Sequence, residues 1–298
     1  MEEMLGIKLA GIEMRNPLML ASGIMGSHAS SLNRMSEFAG AVVTKSTGLE
    51  PVEGYRNPAV INYSHGLINA VGLASSGAEA FAEELRDYVF FAPLIVSLFA
   101  PSPDDFVRLT AHFQLVDGFE LNLSCPHAEK VGLSVGSDPE LVREIVREVK
   151  RATDKPVFAK LSPNVRDIVE IGKAAEDGKA DGVVAINTLK GMKIDIFSRK
   201  PVLSNISGGV SGEGIKPVAI KCVWDLYEEL SIPVVGCGGV TSWKDVVEFM
   251  LAGASAVQIG SALFYSNRIF YSLKESLIAY TRMTGERLED IVGTAHRR

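Results

Sequence analysis

The sequence predicts an α/β fold: a (β/α)8 TIM barrel with an N-terminal β-hairpin and long loops at its C-terminal face. Three observations predict it. Eight short, almost wholly apolar runs recur along the 298 residues, separated by segments of helical periodicity. Strands of that kind, each followed by a helix, build a parallel sheet buried on both faces, and eight such units are the arithmetic of a closed barrel. The runs also end in polar residues or glycines, on the face where barrels keep their chemistry. A doubly wound open sheet is the alternative, and the lack of a dinucleotide fingerprint after an early strand argues against it.

In chain order, Met4 to Pro17 reads as a small hairpin, with Ile7, Leu9, Ile12 and Met14 apolar and Gly11 at the turn. Strands are expected at Leu18–Ser22, Ala41–Ser46, Leu94–Leu98, Phe119–Ser124, Val157–Leu161, Gly182–Asn187, Pro233–Gly236 and Ala256–Ser261. Helices are expected near Ser30–Phe38, Gly77–Tyr88, Pro103–Phe113, Pro139–Ala152, Asp167–Glu176, Pro217–Glu229, Trp243–Ala252 and Leu263–Tyr280. Ser137-Asp138-Pro139 and Thr241-Ser242 are capping signals. Two long loops, Thr47–Ser76 and Thr188–Lys216, follow the second and sixth strands, and long structured loops in compact domains are usually functional. No linker breaks the pattern, so residues 1–298 are expected to form a single domain.

Composition narrows the function classes. Hydrophobic content of 47% and charged content of 22% are those of a globular protein with a sizeable core. A net charge of −6 offers no basic footprint for nucleic acid. The N-terminus lacks a secretory apolar core, and the apolar stretch Tyr88 to Phe99 is broken by Pro93 and too short for a membrane span. Three isolated cysteines make no disulfide framework and too few thiolates for an iron–sulfur cluster of this chain's own, which fits a cytoplasmic location. No histidine pair has zinc-ligand spacing, so no metal site is expected.

The strand ends carry the chemistry. Gly238-Gly239 and Gly260-Ser261 close the seventh and eighth strands, where barrels commonly bind phosphate on backbone N–H groups; two turn glycines are the plain alternative. Lys45 and Lys160 end otherwise apolar strands. They either snorkel to the rim or hold negative charge, from a ligand carboxylate or a reduced flavin. Asn122 and Asn187 lie in strands, where asparagine is depleted, and suit a flat ring whose edge alternates N–H and C=O; Asn69 could do the same or anchor a loop backbone. The glycine-rich Gly208–Gly214 matches no nucleotide fingerprint and reads as a mobile turn that lets backbone approach a ligand, with Gly212 the contact.

Cys125 follows the strand Phe119–Ser124 and precedes Pro126 and His127. It could be a small buried hydrophobe, a nucleophile, or a base that removes a proton from carbon. A loop position beside Ser124, facing two lysines, favours chemistry over packing.

These residues fall into motifs with a recognisable order: Ala21-Ser22-Gly23, Thr44-Lys45-Ser46, Asn69-Ala70-Val71-Gly72-Leu73, Asn122 to His127, Lys160 to Val165, Ile186-Asn187-Thr188, Gly208 to Gly212 and Gly253 to Val257. From Asn16-Pro17 to about Phe264 the chain resembles the class 1 dihydroorotate dehydrogenases, most closely the catalytic subunit of the archaeal-type, NAD-linked class 1B enzymes. The resemblance implies one FMN per chain, held at Ser22, Lys45, Ser46, Asn122, Lys160, Ile186, Gly212, Gly238, Gly239, Gly260 and Ser261. It implies that dihydroorotate is contacted by Lys45, Asn69, Ala70, Val71, Gly72, Leu73, Asn122, Asn187 and Thr188, and that Cys125 is the base at C5 while hydride leaves C6 for the flavin.

It further implies a partner subunit carrying FAD and a [2Fe–2S] cluster, in a heterotetramer of two catalytic and two partner chains that passes electrons to NAD. The alternatives are a class 1A-like, fumarate-linked enzyme, or a dihydropyrimidine dehydrogenase-like enzyme acting on an uncharged pyrimidine. A catalytically silent, phosphate-binding barrel is a third class. Three positions depart from the common pattern: His127 stands where many members have Asn, Ala74-Ser75-Ser76 replaces the family's Pro/Gln-Asn-Pro, and Ser97 replaces an Asn sometimes found near the flavin.

Overall fold

The computed structural model describes residues 2–123 and 135–297. The hairpin comes first: β1 (Ile7–Leu9) and β2 (Ile12–Met14) pair antiparallel, and Gly11 takes φ +87° in the turn, which glycine does at no steric cost. β3 (Leu18–Leu20), α1 (Ala29–Ser36) and β4 (Ala41–Val43) follow. Next come an antiparallel pair, β5 (Val60–Tyr63) and β6 (Gly66–Asn69), and α2 (Ala78–Arg86). The middle of the chain alternates regularly through β7 (Leu94–Leu98), α3 (Pro103–His112), β8 (Gly118–Asn122), α4 (Pro139–Ala152), β9 (Val157–Leu161) and α5 (Ile168–Asp177). After β10 (Gly182–Ala185) come four short strands, β11 (Leu189–Gly191), β12 (Ile194–Asp195), β13 (Lys200–Pro201) and β14 (Gly208–Ser211). The chain then runs through α6 (Lys216–Glu229), β15 (Val234–Cys237), α7 (Trp243–Leu251), β16 (Ala254–Ile259) and α8 (Ile269–Thr284).

β3, β4, β7, β8, β9, β10, β15 and β16 close an eight-stranded barrel in that order, and every neighbouring pair is parallel. This is the (β/α)8 architecture expected from the sequence. The helix starts follow local chemistry. Asp138 Oδ1 accepts from the N–H of Glu140 at 3.0 Å, with Pro139 in the first turn of α4. Ser242 and Asp245 form a capping box at α7.

Side-chain alternation along the strands sorts the core into two bodies. Leu18, Leu20, Val42, Leu94, Val96, Leu98, Leu121, Ala159 and Leu161 face outward and pack with the helices. Met19, Val43, Ile95, Phe158, Val184, Val235 and Ala256 face inward. The hairpin residues Ile7, Leu9, Ile12 and Met14 pack against that inward set and seal one end of the barrel. The apolar floor they make leaves the C-terminal ends of the strands as the open face.

Three expectations are corrected. The stretches 47–76 and 188–216 are not plain loops: together they build a four-stranded antiparallel sheet in the order β11-β14-β6-β5. Gly208–Gly214, expected as a mobile turn, supplies the strand β14 between β11 and β6. Its glycines hid the strand because they serve close packing: a Cβ on Gly208 would lie 2.3 Å from the Asn69 carbonyl oxygen, and one on Gly209 would lie 2.0 Å from Thr188 Oγ1. At the C-terminal end, α8 begins at Ile269 rather than Leu263, and Ser261–Phe264 forms a separate 3-10 turn.

Candidate active site

The inward faces of the strands change character as they rise. Two residues beyond the apolar floor, Ile95 gives way to Ser97, Phe158 to Lys160, Val235 to Cys237 and Ala256 to Gln258, while β8 contributes Glu120 and then Asn122. Polar groups placed there are buried and must find partners. They do so in two tiers.

The upper tier is a chain of side-chain hydrogen bonds across the strand ends. Ser22 Oγ lies 3.3 Å from Ser46 Oγ, which lies 2.9 Å from Ser97 Oγ. Asn122 Nδ2 donates to Ser46 Oγ at 3.0 Å, and Asn187 Nδ2 donates to Asn122 Oδ1 at 3.4 Å. Asn187 Oδ1 in turn accepts from the N–H of Thr188 at 2.8 Å. Residues far apart in sequence thus present one edge of alternating amide and hydroxyl groups, the surface a flat ring with N–H and C=O groups requires.

The lower tier is charged. Lys160 Nζ donates to Gln258 Oε1 at 2.7 Å, Gln258 Nε2 donates to Glu120 Oε2 at 2.6 Å, and Lys160 Nζ lies 3.5 Å from Glu120 Oε1. All three residues are at most 5% exposed. Lys160 is therefore no rim lysine: burial pushes its ammonium down, but the Glu120 charge outweighs that and leaves it above its ordinary value.

Lys45 is the contrast. It is half-buried, its backbone N–H donates to the Gly26 carbonyl at 2.9 Å, and it has no ion-pair partner among the described residues. Burial alone holds its ammonium below the ordinary 10.5. A cation in that state gains from an arriving anion.

Backbone donors gather where β15 and β16 end. Gly238 and Gly239 have φ of +129° and +80°, and Gly260 precedes the Ser261–Phe264 turn. The N–H groups of Gly238, Gly239, Gly260 and Ser261 donate to nothing among the described residues. A Cβ on Gly239 would lie 2.9 Å from the Lys216 nitrogen, so that backbone runs hard against the start of α6. Such unspent donors suit a phosphate.

The remaining predicted residues distribute as follows. Gly212, at φ +99°, lets β14 pass close to Gly66: its Cβ would lie 2.4 Å from the Gly66 Cα. Ile186 is buried and donates its N–H to the Cys237 carbonyl at 2.8 Å. Asn69 donates its side-chain amide to the Gly209 carbonyl at 3.3 Å, which ties β6 to β14. Beyond it the Ala70 N–H is spent on Ala59, whereas Gly72 and Leu73 both take positive φ, +76° and +56°, and their N–H groups donate to nothing among the described residues. Cys125 and His127 lie outside the described residues. Sequence reasoning passed over Glu120 and Gln258. The available signal was a carboxylate and an amide inside strands otherwise built from apolar residues.

Comparison with known proteins finds similarity along nearly the whole chain. A family model described as dihydroorotate dehydrogenase matches residues 4–280. "Dihydroorotate dehydrogenase B (NAD(+)), catalytic subunit" of Archaeoglobus fulgidus is 58% identical over 97% of this chain and 98% of its own length. Proteins of the same description from Pyrococcus horikoshii and Methanocaldococcus jannaschii are 51% and 45% identical, each covering 99% of this chain and 98% and 99% of their own lengths.

Proposed function

Since the chain belongs to the dihydroorotate dehydrogenase family, we propose that it oxidises (S)-dihydroorotate to orotate in pyrimidine biosynthesis, as a single FMN-binding domain spanning residues 1–298. The observation that carries the reading is the pairing of the Ser46–Asn122–Asn187 amide edge with Lys45, a half-buried cation lacking a counter-ion among the described residues, directly before Ser46 in the chain. A flat, amide-edged, carboxylate-bearing ring matches both.

The residues present fit FMN. The unspent N–H groups of Gly238, Gly239, Gly260 and Ser261 would take the phosphate, and Ser22, Lys45, Ser46, Asn122, Lys160, Ile186 and Gly212 would line the rest. When bound, the flavin supplies the hydride acceptor. Lys45 and the N–H groups of Gly72 and Leu73 hold the substrate carboxylate, within the segment Asn69, Ala70, Val71, Gly72 and Leu73. Asn122, Asn187 and Thr188 read the ring amides. Cys125 takes the proton from C5, the hydride leaves C6, and the C5–C6 double bond forms. A base at that point is worth roughly 10²–10⁴-fold.

The relatives named for NAD(+) and as a catalytic subunit support a partner chain carrying FAD and a [2Fe–2S] cluster, in a heterotetramer of two catalytic and two partner chains. With three cysteines and no dinucleotide fingerprint, this chain needs another to reach NAD. A cytoplasmic location belongs to the same reading; among the described residues no helix is long and apolar enough to cross a membrane. The test is anaerobic addition of dihydroorotate to the purified, FMN-loaded chain. The expected result is loss of flavin absorbance with stoichiometric orotate. Persistent absorbance with no orotate formed would refute the reading.

A further inference from the structure

The lower tier of the barrel contains more than the flavin reading uses. Lysine can only donate and a carboxylate can only accept, so Gln258 has one workable orientation between them: Oε1 to Lys160 and Nε2 to Glu120. The amide links the two charges through an oriented chain. Among the described residues Glu120 Oε1 accepts no hydrogen bond, and the lysine charge 3.5 Å away compensates it. The three side chains come from β8, β9 and β16, so three strands fix the ammonium in place.

We infer that Glu120, bridged through Gln258, is a positioning residue that keeps Lys160 a fixed ammonium inside the barrel, leaving Lys45 to answer the charge of an incoming ligand. The groups packed around Lys160 support this assignment. Asn122 is its register partner on β8 and Val184 its register partner on β10, and both are uncharged. Among the described residues Cys237 on β15 is the other titratable neighbour, and burial raises its thiol, which therefore stays neutral at physiological pH. Glu120 is thus the counter-charge. The ammonium and carboxylate form a neutral unit, so the barrel interior holds a strong, oriented donor without net charge. The consequence for flavin binding rests on the reading above; the charge state of Lys160 does not.

The test compares wild type with Glu120→Gln and Gln258→Met in the ligand-free protein carrying isotope-labelled lysine, with the Lys160 resonance assigned by its loss in Lys160→Met. In wild type the ammonium should persist through pH 10 because it is held above its ordinary 10.5. In Glu120→Gln it should titrate at lower pH, and in Gln258→Met at an intermediate pH. FMN affinity, read by fluorescence quenching, should then fall above the new midpoint in Glu120→Gln by up to about tenfold per pH unit relative to wild type over the same range. Coincident lysine titrations in all three proteins would overturn the inference. A shift in Glu120→Gln without one in Gln258→Met would overturn the bridge. If wild type does not bind FMN, the flavin reading falls while the lysine titration still decides this inference.

Discussion

Asn122 and Lys160 are register partners on β8 and β9, facing the same interior, yet they belong to different tiers of the site. Asn122 bonds upward to Ser46 and Asn187, while Lys160 is committed sideways to Gln258 and Glu120. One rung of the barrel thus divides the amide edge from the buried charge. Replacing Asn122 by Ala removes a link of the amide edge and leaves the apolar floor untouched. Orotate affinity of the FMN-loaded protein should fall by about tenfold, since a buried hydrogen-bonding partner is worth about 1–3 kcal/mol when its mate is left unsatisfied. Calorimetric titration of orotate measures it, and an unchanged affinity would remove Asn122 from substrate recognition.

Lys45 predicts a pH dependence. Burial lowers its folded value below the ordinary 10.5, so the protonated form costs the ligand-free fold stability at neutral pH, and that cost fades as pH rises toward 10.5. Binding runs the other way: a carboxylate needs the protonated lysine, so orotate affinity should be full below the lowered value and fall as pH rises through it. Lys45→Met should abolish that fall and weaken orotate by roughly 10–100-fold, the worth of a charge-assisted hydrogen bond of about 1.5–3 kcal/mol. Orotate titrations of both proteins across pH 7–10 give the comparison. A wild-type profile indistinguishable from that of Lys45→Met would place the carboxylate elsewhere.

Gly239 predicts a backbone effect on the phosphate end. Its φ of +80° is strained for any residue with a Cβ, and that atom would meet the Lys216 nitrogen at 2.9 Å. Gly239→Ala should therefore turn the peptide and displace its N–H, at a cost of roughly 1–2 kcal/mol. FMN retention on gel filtration should drop, while Gly285→Ala, also at positive φ but with open space around its Cβ, should lower stability without affecting FMN. Equal FMN retention in both variants would mean the phosphate does not sit on Gly239.

Cys125→Ala should nearly abolish flavin reduction while leaving FMN bound, by roughly 10²–10⁴-fold. Cys125→Ser should react only at higher pH, because a hydroxyl yields less of its anion. Stopped-flow reduction rates measure both. Loss of FMN in the alanine variant would instead give Cys125 a packing role.

The sequence was most legible where physics is local and repetitive. Leu94–Leu98, Val157–Leu161 and Pro139–Ala152 match the structure residue for residue, because an unbroken apolar run or a capped amphipathic run has one sensible conformation. The strands expected over Ala41–Ser46 and Gly182–Asn187 end at Val43 and Ala185, two residues short of Lys45 and Asn187, where the chain leaves the ladder to shape the mouth. The β11-β14-β6-β5 sheet was illegible because it pairs segments about 140 residues apart, and glycines chosen for close approach look like turn glycines in one dimension. Glu120 and Gln258 were missed for the same reason: each looks like an isolated polar residue until three strands bring it to Lys160.

The central claim is that this site is built for a ring bearing a carboxylate, and the measurement that tests it most directly is anaerobic reductive titration of the FMN-loaded chain with dihydroorotate and, separately, with dihydrouracil. The two differ by that one group. Dihydroorotate should bleach the flavin and dihydrouracil should not, because it leaves Lys45 without an anion. Bleaching by dihydrouracil with none by dihydroorotate would contradict the account.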